Sequence, residues 1–321
     1  MNRDFEKSLC LGSGIPFQFL TLLISVPNGF ILVVLYRNPL RCFRKAFSVF
    51  LVFICAVDFF TGIVVCSGET VMRFLCALSH QNIPQEGNMV TILGYIGINS
   101  SILIVTAMSI DRFVAVVFPH FYRRKVQPKT LVLCNIGIVV FSSIFAFLQL
   151  ADISMDVYRL IDQHLHATFP LSTSTLAYLG IFFVLKKQSR VDLQRQTAMP
   201  QNPTLHNMRR VKMAQMERKF ATTSFFILLF LILSLLPYFV AVVTEINCLS
   251  CGNQNWFIAL RELCVFFLFL NSAVNPFLTT FRINELKKSV RIVLRLRRED
   301  EETSTDLRLP TGSLENNAIS P

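Results

Sequence analysis

Seven runs of about 20 apolar residues constrain this chain more than any other feature. A run of that length crosses a hydrocarbon core of roughly 30 Å as a helix. In lipid a helix also satisfies each run's own backbone polar groups. The runs fall at about Ile15–Tyr36, Ala46–Gly68, Met89–Phe118, Thr130–Leu150, Val157–Leu185, Phe220–Glu245 and Trp256–Phe281. They predict an all-α membrane protein, a bundle of seven transmembrane helices, numbered below as spans 1 to 7. Charged residues make up 16% of the chain, against roughly 25% in soluble proteins.

The net charge of +11 is distributed by side. All but five of the 31 Lys and Arg residues lie at the inner end of span 3 (Arg112), after spans 1, 3 and 5, or after span 7. The exceptions are Arg3, Lys7, Arg73, Arg159 and Arg261. Basic residues accumulate on the cytoplasmic side, so the N-terminus is expected outside and the C-terminus inside, at the plasma membrane. A general basic surface for nucleic acid would show no such asymmetry, and no nucleic-acid partner is expected. The first run is too long for the core of a cleaved leader and is closed by Arg37, Arg41, Arg44 and Lys45, as a retained span would be.

These observations divide the chain into an outer segment (1–14), the seven-helix domain (15–281), a surface helix (282–298) and an acidic tail (299–321). In the surface helix, Leu286, Val290, Val293 and Leu294 recur at helical spacing between basic faces that suit anionic inner-leaflet lipids. Glu299–Glu302 with Thr303, Ser304 and Thr305 make the tail acidic and open to phosphorylation. Of the cysteines, Cys10, Cys76, Cys248 and Cys251 face outward and allow three pairings. Cys248 and Cys251 would close a local disulfide in that oxidising compartment, the alternative being two free thiols.

Polar residues inside spans are rare, costly and usually functional, and here they gather at matching depths. Asn28 and Asp58 sit near mid-membrane in spans 1 and 2. Ser101 lies eleven residues before Arg112, about 16 Å above it. Span 7 adds Asn271, Ser272 and Asn275, the last followed by Pro276. A carboxylate among hydroxyls and amides is a ligand set for a small hard cation or a water cluster. Pro170 and Pro237 interrupt the helical ladders of spans 5 and 6, with Tyr178 two turns inward of Pro170. At the inner end of span 3, Asp111-Arg112-Phe113 is level with Glu217, and an Arg112–Glu217 pair would hold that end shut.

In order, depth and spacing, these residues resemble the rhodopsin-like (class A) G-protein-coupled receptors over nearly the whole chain. The resemblance rests on Pro27-Asn28-Gly29, Ala56-Val57-Asp58, Asp111-Arg112-Phe113, Pro170 with Tyr178, Leu236-Pro237-Tyr238 and Asn275-Pro276. It implies a sodium site at Asp58, Ser101, Asn271, Ser272 and Asn275, with sodium an allosteric modulator and no other cofactor. It also implies activation through Asp111, Arg112, Glu217, Tyr178, Pro237, Asn275 and Pro276, as span 6 swings outward and Arg112 turns to a heterotrimeric G protein. Arrestin and receptor kinases are further implied partners. Departures are Phe113 for a tyrosine, Thr279 for the tyrosine after Asn275-Pro276, and Leu235 for the tryptophan before Pro237. Gly87 stands where span 3 usually carries a disulfide cysteine. The missing disulfide, short second outer loop and third-loop cysteines are similar to melanocortin receptors and their lipid- and adenosine-sensing relatives, although Pro170 differs.

Gly94 occupies the position at which aminergic receptors carry an aspartate, with Tyr95 beside it. Acids instead collect toward the outer ends, and Glu69, Asp162 and Glu245 with Tyr95, His166 and Leu235 form the candidate ligand site. The expectation is a cationic small molecule or short peptide. The alternatives are a lipid or nucleoside receptor, or an ion or solute pathway through the Asp58 cluster. No zinc motif, nucleophile elbow or phosphate loop points to an enzyme.

Overall fold

The structure, a computed structural model, describes residues 3–40, 46–79, 87–151, 153–196, 225–226, 228–230, 232–248, 250–252, 254–282 and 284–294. Glu217 lies outside the described residues, so the expected Arg112–Glu217 pair does too. Among the described residues, seven helices are long and apolar enough to cross a membrane.

Span 1 is one helix, Arg3–Arg37, and starts well before the expected boundary at Ile15. It ends at Asn38, which takes a positive φ of 40° while its N–H still bonds the Val34 carbonyl. Span 2 runs Ala46–Phe60, passes through a π-helical turn at Thr61–Cys66, and continues as Ser67–Ser79. Span 3 is Met89–Val117, started by Asn88, whose side chain accepts the Thr91 N–H at 2.9 Å. A short inner helix, Pro119–Lys125, follows, and span 4 is Pro128–Phe147 with a 3₁₀ turn at Leu148–Leu150. Proline opens both helices at a position whose N–H has no intrahelical partner.

Span 5 begins at Met155–Asp162, widens into a π-helical turn at Gln163–Thr168, and resumes as Phe169–Gln196. The cause is Pro170. It has no N–H to offer the His166 carbonyl, and its ring would strike that carbonyl in a regular helix, so the turn before it is wound with one extra residue. Span 6 is Leu228–Asn247 and span 7 is Asn255–Arg282. Within the described residues the surface helix is Asn284–Val293.

Span 3 is the central strut, packing on spans 2, 4 and 5, while span 1 packs on spans 2 and 7. The largest buried cluster joins Ile54, Val105, Met108, Tyr178, Leu228 and Leu235. Leu286 of the surface helix belongs to it and is fully buried. Large apolar side chains also point outward, among them Phe19, Leu133, Ile144 and Phe183, as expected where the solvent is lipid. Close helix contact is made possible at Gly62, where a Cβ would fall 2.8 Å from the Ser25 backbone nitrogen.

Candidate functional site

At the inner end, Asp111 and Arg112 are both buried and paired with each other. Arg112 Nε donates to Asp111 Oδ2 at 3.0 Å, and Nη2 donates to the same oxygen. Tyr122, on the short inner helix, completes a closed triangle. Its hydroxyl donates to Asp111 Oδ1 at 2.8 Å and accepts from Arg112 Nη2 at 3.2 Å. Burial pushes the Tyr122 hydroxyl well above its ordinary pKa, so it stays protonated and able to donate. Phe113 packs over span 5 at Gly180, where a Cβ would lie 2.5 Å from its ring. Tyr178 is buried nearby, its ring 5.8 Å from that of Phe225, which precedes span 6.

At mid-depth Asp58 is fully buried. Its Oδ1 accepts from Ser272 Oγ at 2.7 Å and Ser101 Oγ at 3.4 Å, and its Oδ2 accepts from Asn275 Nδ2 at 2.8 Å. Asn28 Nδ2 donates to the Ser272 carbonyl at 3.0 Å, which brings span 1 into the same network. Asn271 is buried beside these residues, and no hydrogen bond joins it to Asp58. The carbonyl oxygens of Asn28 and Asn271 are buried without hydrogen-bond partners. A carboxylate, two hydroxyls and two unsatisfied amide oxygens suit a small hard cation. Pro237 and Pro276 lie within the helices of spans 6 and 7.

Toward the end that the charge asymmetry assigns to the outside lies a cavity of ≈160 Å³. Glu69, Tyr95, Asp162, His166 and Leu235 all line it. Glu245 is not part of the lining. It joins two arginines that are, with Oε2 at 3.1 Å from Arg159 and Oε1 at 3.2 Å from Arg261. Asp162 accepts from Asn99 Nδ2 at 2.7 Å and lies 3.0 Å from His166 Nδ1. That approach falls short of hydrogen-bond geometry, because both His166 ring nitrogens are without a hydrogen bond. The His166 ring is held against Phe141 and Phe145 of span 4. The π-helical turn sets this position, since it carries His166 between Asp162 and Pro170.

Glu69 is not a free acid. Arg73, one turn along span 2, lies 3.3 Å from it and 2.8 Å from Glu262 of span 7, with its guanidinium 4.4 Å from the centre of the Phe17 ring. Two disulfides close this end, Cys10–Cys76 between spans 1 and 2 and Cys248–Cys251 in the last outer loop.

The sequence did not single out Tyr122 or the pairing of Arg73. A tyrosine in a basic loop carries no burial signal of its own. Arg73 reads from the sequence as an outward positive charge; its i, i+4 spacing from Glu69 is the available clue.

Residues 27–278 match the 7 transmembrane receptor (rhodopsin family). The chain therefore belongs to the rhodopsin-like (class A) G-protein-coupled receptors and is a multi-pass membrane protein. Among curated proteins it is similar to a thyrotropin-releasing hormone receptor of Mus musculus, 25% identical over 224 residues. That alignment covers 58% of this chain and 55% of the relative, so the chain spans about half the length of that receptor. Among solved structures the fold is similar to squid rhodopsin, with a TM-score of 0.75 and 17% identity over 95% of this chain and 93% of that one.

Proposed function

We propose that the protein is a plasma-membrane receptor, N-terminus outside, that carries an extracellular ligand signal to a cytosolic heterotrimeric G protein. The observation that carries this reading is the Asp111–Arg112–Tyr122 triangle at the inner end, in line with the Asp58 network and the outer cavity. A ligand in the cavity, a cationic small molecule or short peptide, acts on Tyr95, Asp162, His166 and Leu235 and through Arg73 and Arg159 on Glu69 and Glu245. Leu235 of span 6 lines that cavity and also sits in the buried cluster with Tyr178 and Met108. Motion at Leu235 is thus passed inward. Span 6 swings out, the triangle opens, and Arg112 turns to the G protein. The named relative is a hormone receptor, which supports a soluble messenger as ligand.

Sodium is the proposed modulator. Asp58, Ser101 and Ser272 would hold it with the amide oxygens of Asn28 and Asn271, close to Asn275. It would supply the positive charge that the buried carboxylate lacks. Asn275 and Pro276 would shift with span 7 as the ion leaves. Anionic inner-leaflet lipids at the surface helix, and arrestin and receptor kinases at the tail, are the remaining proposed partners.

The test is G-protein activation in cells expressing wild type or Arg112→Ala, without ligand and across peptide, amine and lipid panels. A wild-type signal that disappears in the variant supports the receptor reading. Equal signals, or none from surface-delivered wild type under any condition, would defeat it.

A further inference from the structure

The cavity carries a charge imbalance at one wall. Glu69 and Glu262 meet the same nitrogen of Arg73, Nη2, at 3.3 and 2.8 Å. The three side chains are buried, with 10%, 11% and 4% of their surface exposed. Two carboxylates therefore share one guanidinium in a place where an uncompensated charge is costly. The other arginines lining the cavity are matched elsewhere, Arg159 by Asp156 and Glu245 and Arg261 by Glu245, two cations against two carboxylates. Asp162, the remaining acid in the lining, is occupied by Asn99 and faced by His166. The buried Nε of Arg73 has no hydrogen-bond partner, so the cluster is incomplete on that side as well.

We propose that Glu69 and Glu262 form the cation subsite of the outer cavity, taking a guanidinium or ammonium group beside Arg73. The proposal deepens the receptor reading by naming the chemistry of the ligand and placing its anchor on spans 2 and 7. A planar guanidinium can give parallel hydrogen bonds to carboxylates and lie beside a second guanidinium whose charge is already shared. His166 adds a second point of contact, because it lines the same cavity and its buried Nε2 has no hydrogen-bond partner. The ligand class is thus a molecule with one basic group and a hydrogen-bonding group further along. Arg73 is the positioning residue, holding both carboxylates toward the cavity from its seat on Phe17.

The experiment uses full-length protein in detergent, with benzylguanidine and its uncharged counterpart of the same shape, benzylurea, as probes. Binding is read by thermal shift and by saturation-transfer NMR, neither of which needs a G protein. Benzylguanidine should bind wild type at least about tenfold more tightly than benzylurea, the scale of a buried charge contact. Glu69→Gln/Glu262→Gln should remove that preference while keeping the shape of the wall. If the double variant does not fold, Glu262→Gln alone should reduce the preference by a similar factor. Equal binding of the two probes, binding of neither, or a preference that survives in folded variants would overturn the proposal. Guanidinium preference without G-protein activation in cells would defeat the receptor reading and leave the subsite standing; the opposite result would do the reverse.

Discussion

The hydroxyl of Tyr122 both donates to Asp111 and accepts from Arg112, so one oxygen atom closes the inner triangle. Tyr122→Phe keeps the ring and removes only that oxygen. A lost hydrogen bond to charged partners is worth about 1.5–3 kcal/mol, and losing it favours the open state. Basal nucleotide exchange should rise roughly tenfold or more, measured against wild type at equal receptor density. The Asp58 site makes a second residue-scale prediction. Asp58→Asn removes the charge that a sodium ion would balance, while the amide can still meet Ser101 and Ser272. Wild type should gain thermal stability when sodium replaces a large organic cation, and Asp58→Asn should show no such gain. The two sites differ in how far the sequence reveals them. Asp58, Ser101, Ser272 and Asn275 are legible because polar groups inside apolar spans can satisfy one another and have few other options. Tyr122 lies in a polar loop among Arg and His, where nothing marks it as half-buried against charged partners. Arg73 likewise reads as a topology signal until span 7 brings Glu262 to its other side.

Helix geometry sets which residues meet. Spans 2 and 5 each contain a π-helical turn, and the two differ in legibility. The turn in span 5 has a sequence cause in Pro170, although the sequence marks an interrupted ladder at the proline and not a widened turn before it. The turn in span 2, at Thr61–Cys66, has no proline to mark it. It follows Asp58 and precedes Glu69 and Arg73, so it sets their rotation relative to the network below. The surface helix makes the prediction at this scale. Its Leu286 is fully buried in the main core, so this helix is fastened to the bundle as well as being amphipathic. Leu286→Ala should cost about 2–5 kcal/mol, the usual range for truncating a buried leucine. A lower thermal midpoint in detergent and reduced surface delivery would register it, whereas an unchanged midpoint would mean that the helix rests on the bundle without stabilising it.

The whole molecule is organised as three polar stations separated by apolar packing: the charged outer cavity, the Asp58 network and the Arg112 triangle. Both disulfides among the described residues lie at the first of these, and neither is the family's usual span-3 bridge, whose position here is Gly87. Cys10–Cys76 joins cysteines 66 residues apart, whereas Cys248–Cys251 closes a separation of 3. The longer loop constrains the unfolded chain more, about 4 kcal/mol against about 2 on the chain-entropy scale. Replacing Cys10 and Cys76 by Ser should therefore lower the thermal midpoint further than replacing Cys248 and Cys251. The bundle and most of its polar stations were legible from spacing alone. Which charges pair across spans was not, because pairing depends on rotations that the π-helical turns introduce. The account stands on coupling between the inner triangle and a G protein. The most direct measurement is GTP-analogue uptake by purified heterotrimer with reconstituted wild type, Tyr122→Phe and Arg112→Ala. The account predicts Tyr122→Phe above wild type and Arg112→Ala at the level of empty vesicles. Uptake that is the same for all three proteins would contradict it.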